Sequence, residues 1–508
     1  MVYYNGQVGN GCLWEPWMDT ARRGGAFMGS NGLGFGRASM VFSSTEFLCF
    51  FLPIVLILYY ACRRNRTLSN VVLTVMSLLF YAWGETTFVL VMLASILINW
   101  LVARVISGNE ARPRVRRLAL VVGLVLDVGM LAVFKYLSFF VRNLNGVFSL
   151  NLPDPQLALP IGISFFTFQA ISYIVDVYRG HGEAQKHFLG VCLYISFFPQ
   201  LIAGPIVRYE TVAAEIKGRT ETLDDFTEGA RRFMVGLSKK AILANSLALI
   251  VDSIFALSPE KLSVGMSWYA AIAYLMQVYY DFSGYSDMAI GLGRMFGFHF
   301  LENFTFPFLS KSVSEFWRRW HISLCTWFRD YVFFPLGGSR VKSKLRLLFN
   351  MFVVWVLTGL WHGAEWTYVL WGVGFFVVLS IEKLTGMGKW MEKHAVGHLY
   401  AMLAVVVVTV LIRSESVAAA GAFYKTMFGL SGAPLWSPLT GMFVREYGLF
   451  FAAAAVLSLP VADWLRKRVR VPAWLLEPAL GVLLLAATAV AFTYVISGSY
   501  NPFIYFNF

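Results

Sequence analysis

Long apolar runs, separated by short polar or basic segments, recur along most of the chain. As helices, runs of roughly 17–25 apolar residues cross a hydrocarbon core about 30 Å thick, and inside such a core only a helix or a closed barrel satisfies its own backbone. The pattern predicts spans near 46–62, 70–84, 87–107, 118–141, 188–204, 235–257, 267–281, 348–362, 367–381, 399–412, 446–461 and 475–496, with a further one over 159–177. That makes about eleven to thirteen crossings. RRNR at 63–66 follows the first span and ARPRVRR at 111–117 the third. Clustered Lys and Arg stay in the cytoplasm, so the first helix runs inward, the second outward to GET at 84–86, the third inward and the fourth outward to the loop 142–158. Both signs of charge are dense over 205–232, which reads as helices lying along a membrane face.

Two regions depart from the pattern. Residues 302–346 carry eight Lys and Arg against three Asp and Glu among many Trp and Phe, a mixture suited to headgroup depth. The first 40 residues are rich in Gly and hold no apolar run that would serve as a signal-peptide core. Residues 1–39 therefore read as a disordered extension or a mis-assigned start, and 40–508 as one membrane domain. No internal repeat is visible.

Composition agrees with an all-α polytopic membrane protein: 58% of residues are apolar, 17% aromatic and only 14% charged, with mean hydropathy +0.62. The net charge of +13 sits between apolar spans, where cytoplasmic loops and anionic lipid headgroups account for it better than nucleic acid does. The five cysteines have no CxxC spacing, so neither a metal site nor a disulfide framework is indicated.

The stretch GLWHGAEW at 359–366 places His362 at membrane depth. An ionisable group there points by default at a cavity or partner, although polar residues also serve as glue between helices; both uses stand open. A helix through 348–366 puts Trp355, Thr358, His362 and Trp366 on one face, with Trp361 beside the imidazole. Imidazole suits proton transfer near neutral pH, including acceptance of a hydroxyl proton during acyl transfer. Glu365 either orients the ring or is a loop carboxylate. His321, beside Arg319 and Trp320 and four residues before Cys325, reads as structural or substrate-gating rather than as half of a Cys/His nucleophile. In YYDFSGYSDMAIG at 279–291, Asp281, Ser283, Ser286 and Asp287 either line a polar cavity or cap and break a helix, and the second use is favoured. Asp127 and Lys135 read as a structural pair. No GxSxG elbow, HExxH or P-loop is present, and GLGRMFG at 291–297 follows no strand.

MVFSSTEFLCFFLP at 40–53, SFFPQLIAGPIVRY at 196–209, YYDFSGYSDMAIGLGRMFGF at 279–298, SEFWRRWHISLCTWFRDYVFFPLGGSR at 314–340, LTGLWHGAEWTYVLWG at 357–372 and SYNPFIYFNF at 499–508 together resemble bacterial membrane-bound O-acyltransferases. The resemblance implies a bundle of about eleven transmembrane helices with interfacial or re-entrant pieces around a central funnel. It implies catalysis by His362, from the WHG motif, and by His321, from the WRRWH stretch. Trp355, Thr358, Trp361, Trp366, Asp281, Arg318 and Arg319 are expected around the substrates, with no metal. The implied reaction moves an acetyl group from a cytoplasmic thioester, acetyl-CoA or another carrier, to an exopolysaccharide, either directly or through a periplasmic acetyltransferase partner. Alginate is the leading acceptor, with cellulose, peptidoglycan and teichoic acid as alternatives, and the bacterial inner membrane is the expected location. The Lys and Arg of 311–346 either attract CoA phosphates or face lipid headgroups. A transporter or a non-catalytic scaffold for polysaccharide export would also place polar groups at mid-membrane, but a transporter often shows two related halves, which this chain lacks.

Overall fold

A computed structural model describes residues 40–468, 472–498 and 501–502; the extension expected over 1–39 lies outside the described residues. The first four helices are α1 (Phe47–Cys62), α2 (Arg66–Gly84), α3 (Phe88–Gly108) and α4 (Pro113–Phe148). Three largely buried pieces follow, α5 (Ile163–Arg179), α6 (Phe188–Ser196) and α7 (Phe198–Leu201), and then the partly exposed α8 (Tyr209–Lys217). Two long helices, α9 (Leu223–Phe255) and α10 (Val264–Met295), then lead to the short α11 (Val313–Arg319) and α12 (Ile322–Phe328). The remainder is α13 (Lys344–His362), α14 (Trp366–Thr385), α15 (Met387–Lys393), α16 (Val396–Arg413), α17 (Val417–Met427), α18 (Pro438–Leu457), α19 (Val461–Arg468) and α20 (Trp474–Ile496).

Among the described residues nine of these helices are long and apolar enough to cross a membrane: α2, α3, α4, α9, α13, α14, α16, α18 and α20. α10 also has the length, at 32 residues, but carries Asp281, Asp287 and Arg294. In α2 the amphipathicity is reversed. α2 buries Ser69, Asn70, Thr74 and Ser77 while exposing Leu68, Val71, Val75 and Leu79, as expected where lipid rather than water lies outside. Asn70 donates to the Ile216 carbonyl at 2.9 Å, and Ser77 accepts from the Phe198 amide at 3.1 Å.

Three sequence expectations are corrected. The predicted span at 188–204 is α6 and α7, broken at Phe197 ahead of Pro199. Nine residues rise only about 13 Å, and the segment is apolar because protein buries it on all sides. The polar stretch at 279–291 does not break its helix, because α10 runs through it and α9 supplies the counter-charges. Asp281 pairs with Lys240 at 2.6 Å, and Asp287 pairs with Lys239 at 2.7 Å and Arg232 at 3.0 Å. Glycines hold the two helices close: a Cβ at Gly236 would strike the Gly284 carbonyl, and one at Gly291 the Gly229 carbonyl, so only small residues permit this approach. Finally, Asp127 and Lys135 do not pair. Asp127 accepts from Asn99 at 2.8 Å, and the wider π-helical turn Ala132–Tyr136 shifts the phase of α4, turning Lys135 toward the end of α13.

Candidate active site

α13 ends at His362, where Gly363 becomes extended and Glu365 precedes α14. Trp366 therefore opens the next helix and leaves the face expected for it; its indole donates to Asn143 at 2.8 Å near the surface. Glu365 pairs with Arg142 at 2.5 Å rather than with the imidazole. A Cβ at Gly359 would collide with the Tyr368 carbonyl, and one at Gly372 with the Trp355 carbonyl. α13 and α14 thus touch backbone to backbone just beneath His362, which sets its height.

One turn back, the Thr358 carbonyl lies 2.8 Å from His362 Nδ1. A carbonyl only accepts, so this hydrogen bond assigns the proton to Nδ1 and the lone pair to Nε2. Trp361 and Trp371 pack across the ring, with centroids at 4.9 and 4.8 Å. Nothing local in the sequence marked Trp371, which reaches the site from α14.

His321 joins α11 to α12 with φ +46°, a left-handed conformation that costs a residue with a Cβ about 1–2 kcal/mol. Asn303 holds it there. The Asn303 Oδ1 accepts from the Ser323 amide at 3.1 Å, the Ser323 hydroxyl at 2.9 Å and His321 Nδ1 at 3.3 Å. The Ser323 amide can only donate, so the oxygen of Asn303 faces it, and His321 also carries its hydrogen on Nδ1. Its buried Nε2 has no hydrogen-bond partner among the described residues. Phe282 lies edge-on to His321 at 4.5 Å, and the two imidazole centroids stand 6.5 Å apart with Trp361 against both. Asn303 escaped the sequence reading because an Asn 18 residues from its histidine leaves no periodic signal.

His362 lines one cavity directly, and a larger one lies beside it. A cavity of about 420 Å³ is lined by Trp317, Arg318, Cys325, Arg329, Trp355 and Thr358. The residues that α13 gives it are Val354, Trp355 and Thr358, in the half of the helix nearer His362. Arg318 borders it and pairs with Glu392 at 2.8 Å, which holds that carboxyl below its ordinary range. A smaller aromatic pocket of about 40 Å³ places His362 among Phe282, Trp317, Trp320 and Trp371. Of the remaining expected residues, Arg319 turns to Glu315 at 2.9 Å and Asp281 to Lys240, so neither is gathered at the imidazoles. Cys325 lines the larger cavity, and its thiol points to the Trp320 carbonyl at 3.6 Å rather than to His321. The result is a buried, aromatic-walled site with two neighbouring imidazole lone pairs, suited to taking a proton from a hydroxyl where water is scarce.

The family model for the membrane-bound O-acyltransferase family matches residues 183–412, a segment that contains both histidines. A probable alginate O-acetylase of Pseudomonas putida is 38% identical over 92% of this chain and 100% of its own length. Another, from Pseudomonas aeruginosa, is 40% identical over 83% of this chain and 82% of its own. A peptidoglycan O-acetyltransferase of Helicobacter pylori is 32% identical over 78% of this chain and 81% of its own.

Proposed function

Because the chain belongs to the membrane-bound O-acyltransferase family, we propose that it transfers an acetyl group from a cytoplasmic thioester, across a bacterial inner membrane, to a hydroxyl of an exopolysaccharide, with alginate the leading acceptor. That it is a multi-pass membrane O-acyltransferase follows from the family and the nine apolar helices; the donor, the polymer and the membrane are the proposal. Alginate leads because two relatives bearing that name match at 38% and 40%, against 32% for the peptidoglycan enzyme.

The observation that carries the reading is the imidazole pair, 6.5 Å between centroids, next to a cavity of about 420 Å³ lined by Thr358, whose carbonyl holds His362. An acetyl thioester, acetyl-CoA or another carrier, would lie in that cavity with Arg318 and Arg329 near its phosphates. With Nδ1–H fixed on the Thr358 carbonyl, His362 accepts the acceptor's hydroxyl proton at Nε2. The oxygen attacks the acetyl carbonyl, a C–O bond forms, and the C–S bond breaks. The thiolate then takes the proton from the imidazolium, so the base is regenerated. His321, with its lone pair also on Nε2, accepts from a second hydroxyl of the acceptor and so orients the attacking one beside His362. Base assistance of this kind contributes about 10²–10⁴-fold, and alignment of the reactants in a dry site supplies the larger share. A periplasmic acetyltransferase partner receives the acetyl group before the polymer, or the polymer takes it directly.

The test is a His362→Ala variant scored separately for acetyl ester on secreted polymer and for polymer export. Lost ester with normal export is the expected result. Unchanged ester refutes the enzyme reading, and lost export favours a transporter or scaffold.

A further inference from the structure

On the other side of Trp361 a cavity of about 60 Å³ is lined by Lys135, Ile161, Gly162, Ser164 and Trp361, among others. It adjoins the segment 149–162 between α4 and α5, which the charge pattern places outside the cytoplasm. Lys135 lies in the membrane-spanning α4 and is only 8% exposed. Lysines at such depth are kept for function and find a partner.

The other buried cations near the bundle centre have carboxylates: Lys240 faces Asp281 at 2.6 Å, and Arg219 approaches Glu221 at 3.6 Å. Lys135 differs. Its ammonium donates to the Trp361 carbonyl at 2.5 Å and the Ser164 hydroxyl at 3.1 Å, both neutral acceptors, and no carboxylate of the described residues pairs with it. An ammonium has three hydrogens, so one donor remains for a ligand. Trp361 lies in the last turn of α13, where free carbonyls attract a cation. Gly162, at φ +73°, brings bare backbone to the cavity wall. The space equals about two waters, enough for a carboxylate but not for a sugar ring.

We propose that Lys135 and Ser164 form a carboxylate subsite on the outer side of the imidazole pair, which recognises a uronate residue of the acceptor and thereby presents the sugar's hydroxyl to His362. This rests on the acyl-transfer reading in the form in which the polymer takes the acetyl group directly. A polyuronate such as alginate carries one carboxylate per sugar; a neutral polymer carries none. The Lys135 ammonium is hydrogen-bonded to the carbonyl of Trp361, the residue that immediately precedes His362, and the Trp361 ring packs on the imidazole at 4.9 Å, so one indole separates the held carboxylate from the base.

The test is direct binding of an oligomannuronate to the purified full chain in lipid nanodiscs, compared with the carboxyl-reduced oligosaccharide of equal length. Wild type binds the uronate at least tenfold more tightly than the reduced sugar. Lys135→Met removes that preference, whereas Lys135→Arg keeps most of it. Ser164→Asp places a built-in carboxylate on Lys135, leaves the fold paired, and also removes uronate binding. Equal binding of the two sugars by wild type, or undiminished uronate preference in Lys135→Met or Ser164→Asp, overturns the subsite. The acyl-transfer reading fails separately: polymer ester that survives in His362→Ala sinks it whatever the binding shows, and ester lost in His362→Ala with uronate binding untouched by Lys135→Met sinks only the subsite.

Discussion

Replacing Asn303 by Ala removes one oxygen that accepts three hydrogen bonds, from the Ser323 amide, the Ser323 hydroxyl and His321 Nδ1. The hydroxyl can rotate, but the amide and the imidazole N–H stay buried. Each abandoned buried donor costs about 1–3 kcal/mol, so the loss should be about 2–6 kcal/mol before relaxation. His321 already sits in the left-handed region, so its local backbone is released when the clamp goes, and a displacement near 1 Å costs on the order of 10²-fold in rate. Asn303→Asp retains the acceptor with the same shape. It should keep most of the stability while placing a negative charge against His321, which favours the imidazolium and removes its Nε2 lone pair. The assay is thermal unfolding of a fluorescent fusion in detergent, run beside acetyl ester on secreted polymer. The expected pattern is a destabilised, weakly active Ala variant and a stable Asp variant that is also weakly active. An Ala variant with wild-type melting and more than half of wild-type ester would refute the clamp.

Gly359→Leu should separate α13 from α14, because its Cβ already collides with the Tyr368 carbonyl. Overpacking of this kind costs about 1–3 kcal/mol, so melting falls and ester yield falls further as His362 shifts. Asp281→Ala leaves Lys240 buried without the carboxylate now 2.6 Å away, at about 3–5 kcal/mol. The double variant with Lys240→Met should recover most folded protein on size-exclusion chromatography; failure to recover would place the role of Asp281 elsewhere.

Most of the bundle was legible because lipid-facing helices must be apolar for about 20 residues, and α2, α3, α13, α14 and α16 follow that rule. What failed were segments whose apolarity or polarity answers to protein rather than lipid. Residues 188–204 are apolar because the core surrounds them, and α10 survives Asp281 and Asp287 because α9 delivers Lys239 and Lys240 opposite them. His362, His321, Thr358 and Trp361 were visible in the sequence and lie together, the Thr358 carbonyl on His362 and the Trp361 ring against both imidazoles, whereas Trp355 lines the neighbouring cavity. Trp366 was misplaced by assuming that the helix ran through Gly363, whose extended backbone ends α13. Asn303, Lys135 and Trp371 were invisible as site residues, since their link to the histidines exists only after α4, α13 and α14 have packed.

Vesicles of defined orientation test most directly the proposed transfer of an acetyl group from a cytoplasmic donor to an outer hydroxyl, with His362 as the base. Acetyl-labelled CoA is supplied to inside-out and to right-side-out membrane vesicles from cells expressing either wild type or His362→Ala at matched levels, and base-labile acetyl ester on lumenal or external acceptor is counted. Ester should form in wild-type inside-out vesicles, where the donor meets the cytoplasmic face, and fall on the order of 10²-fold or more without the imidazole. Equal ester in His362→Ala, or ester that forms as readily when the donor is offered only to the outer face, would contradict the account.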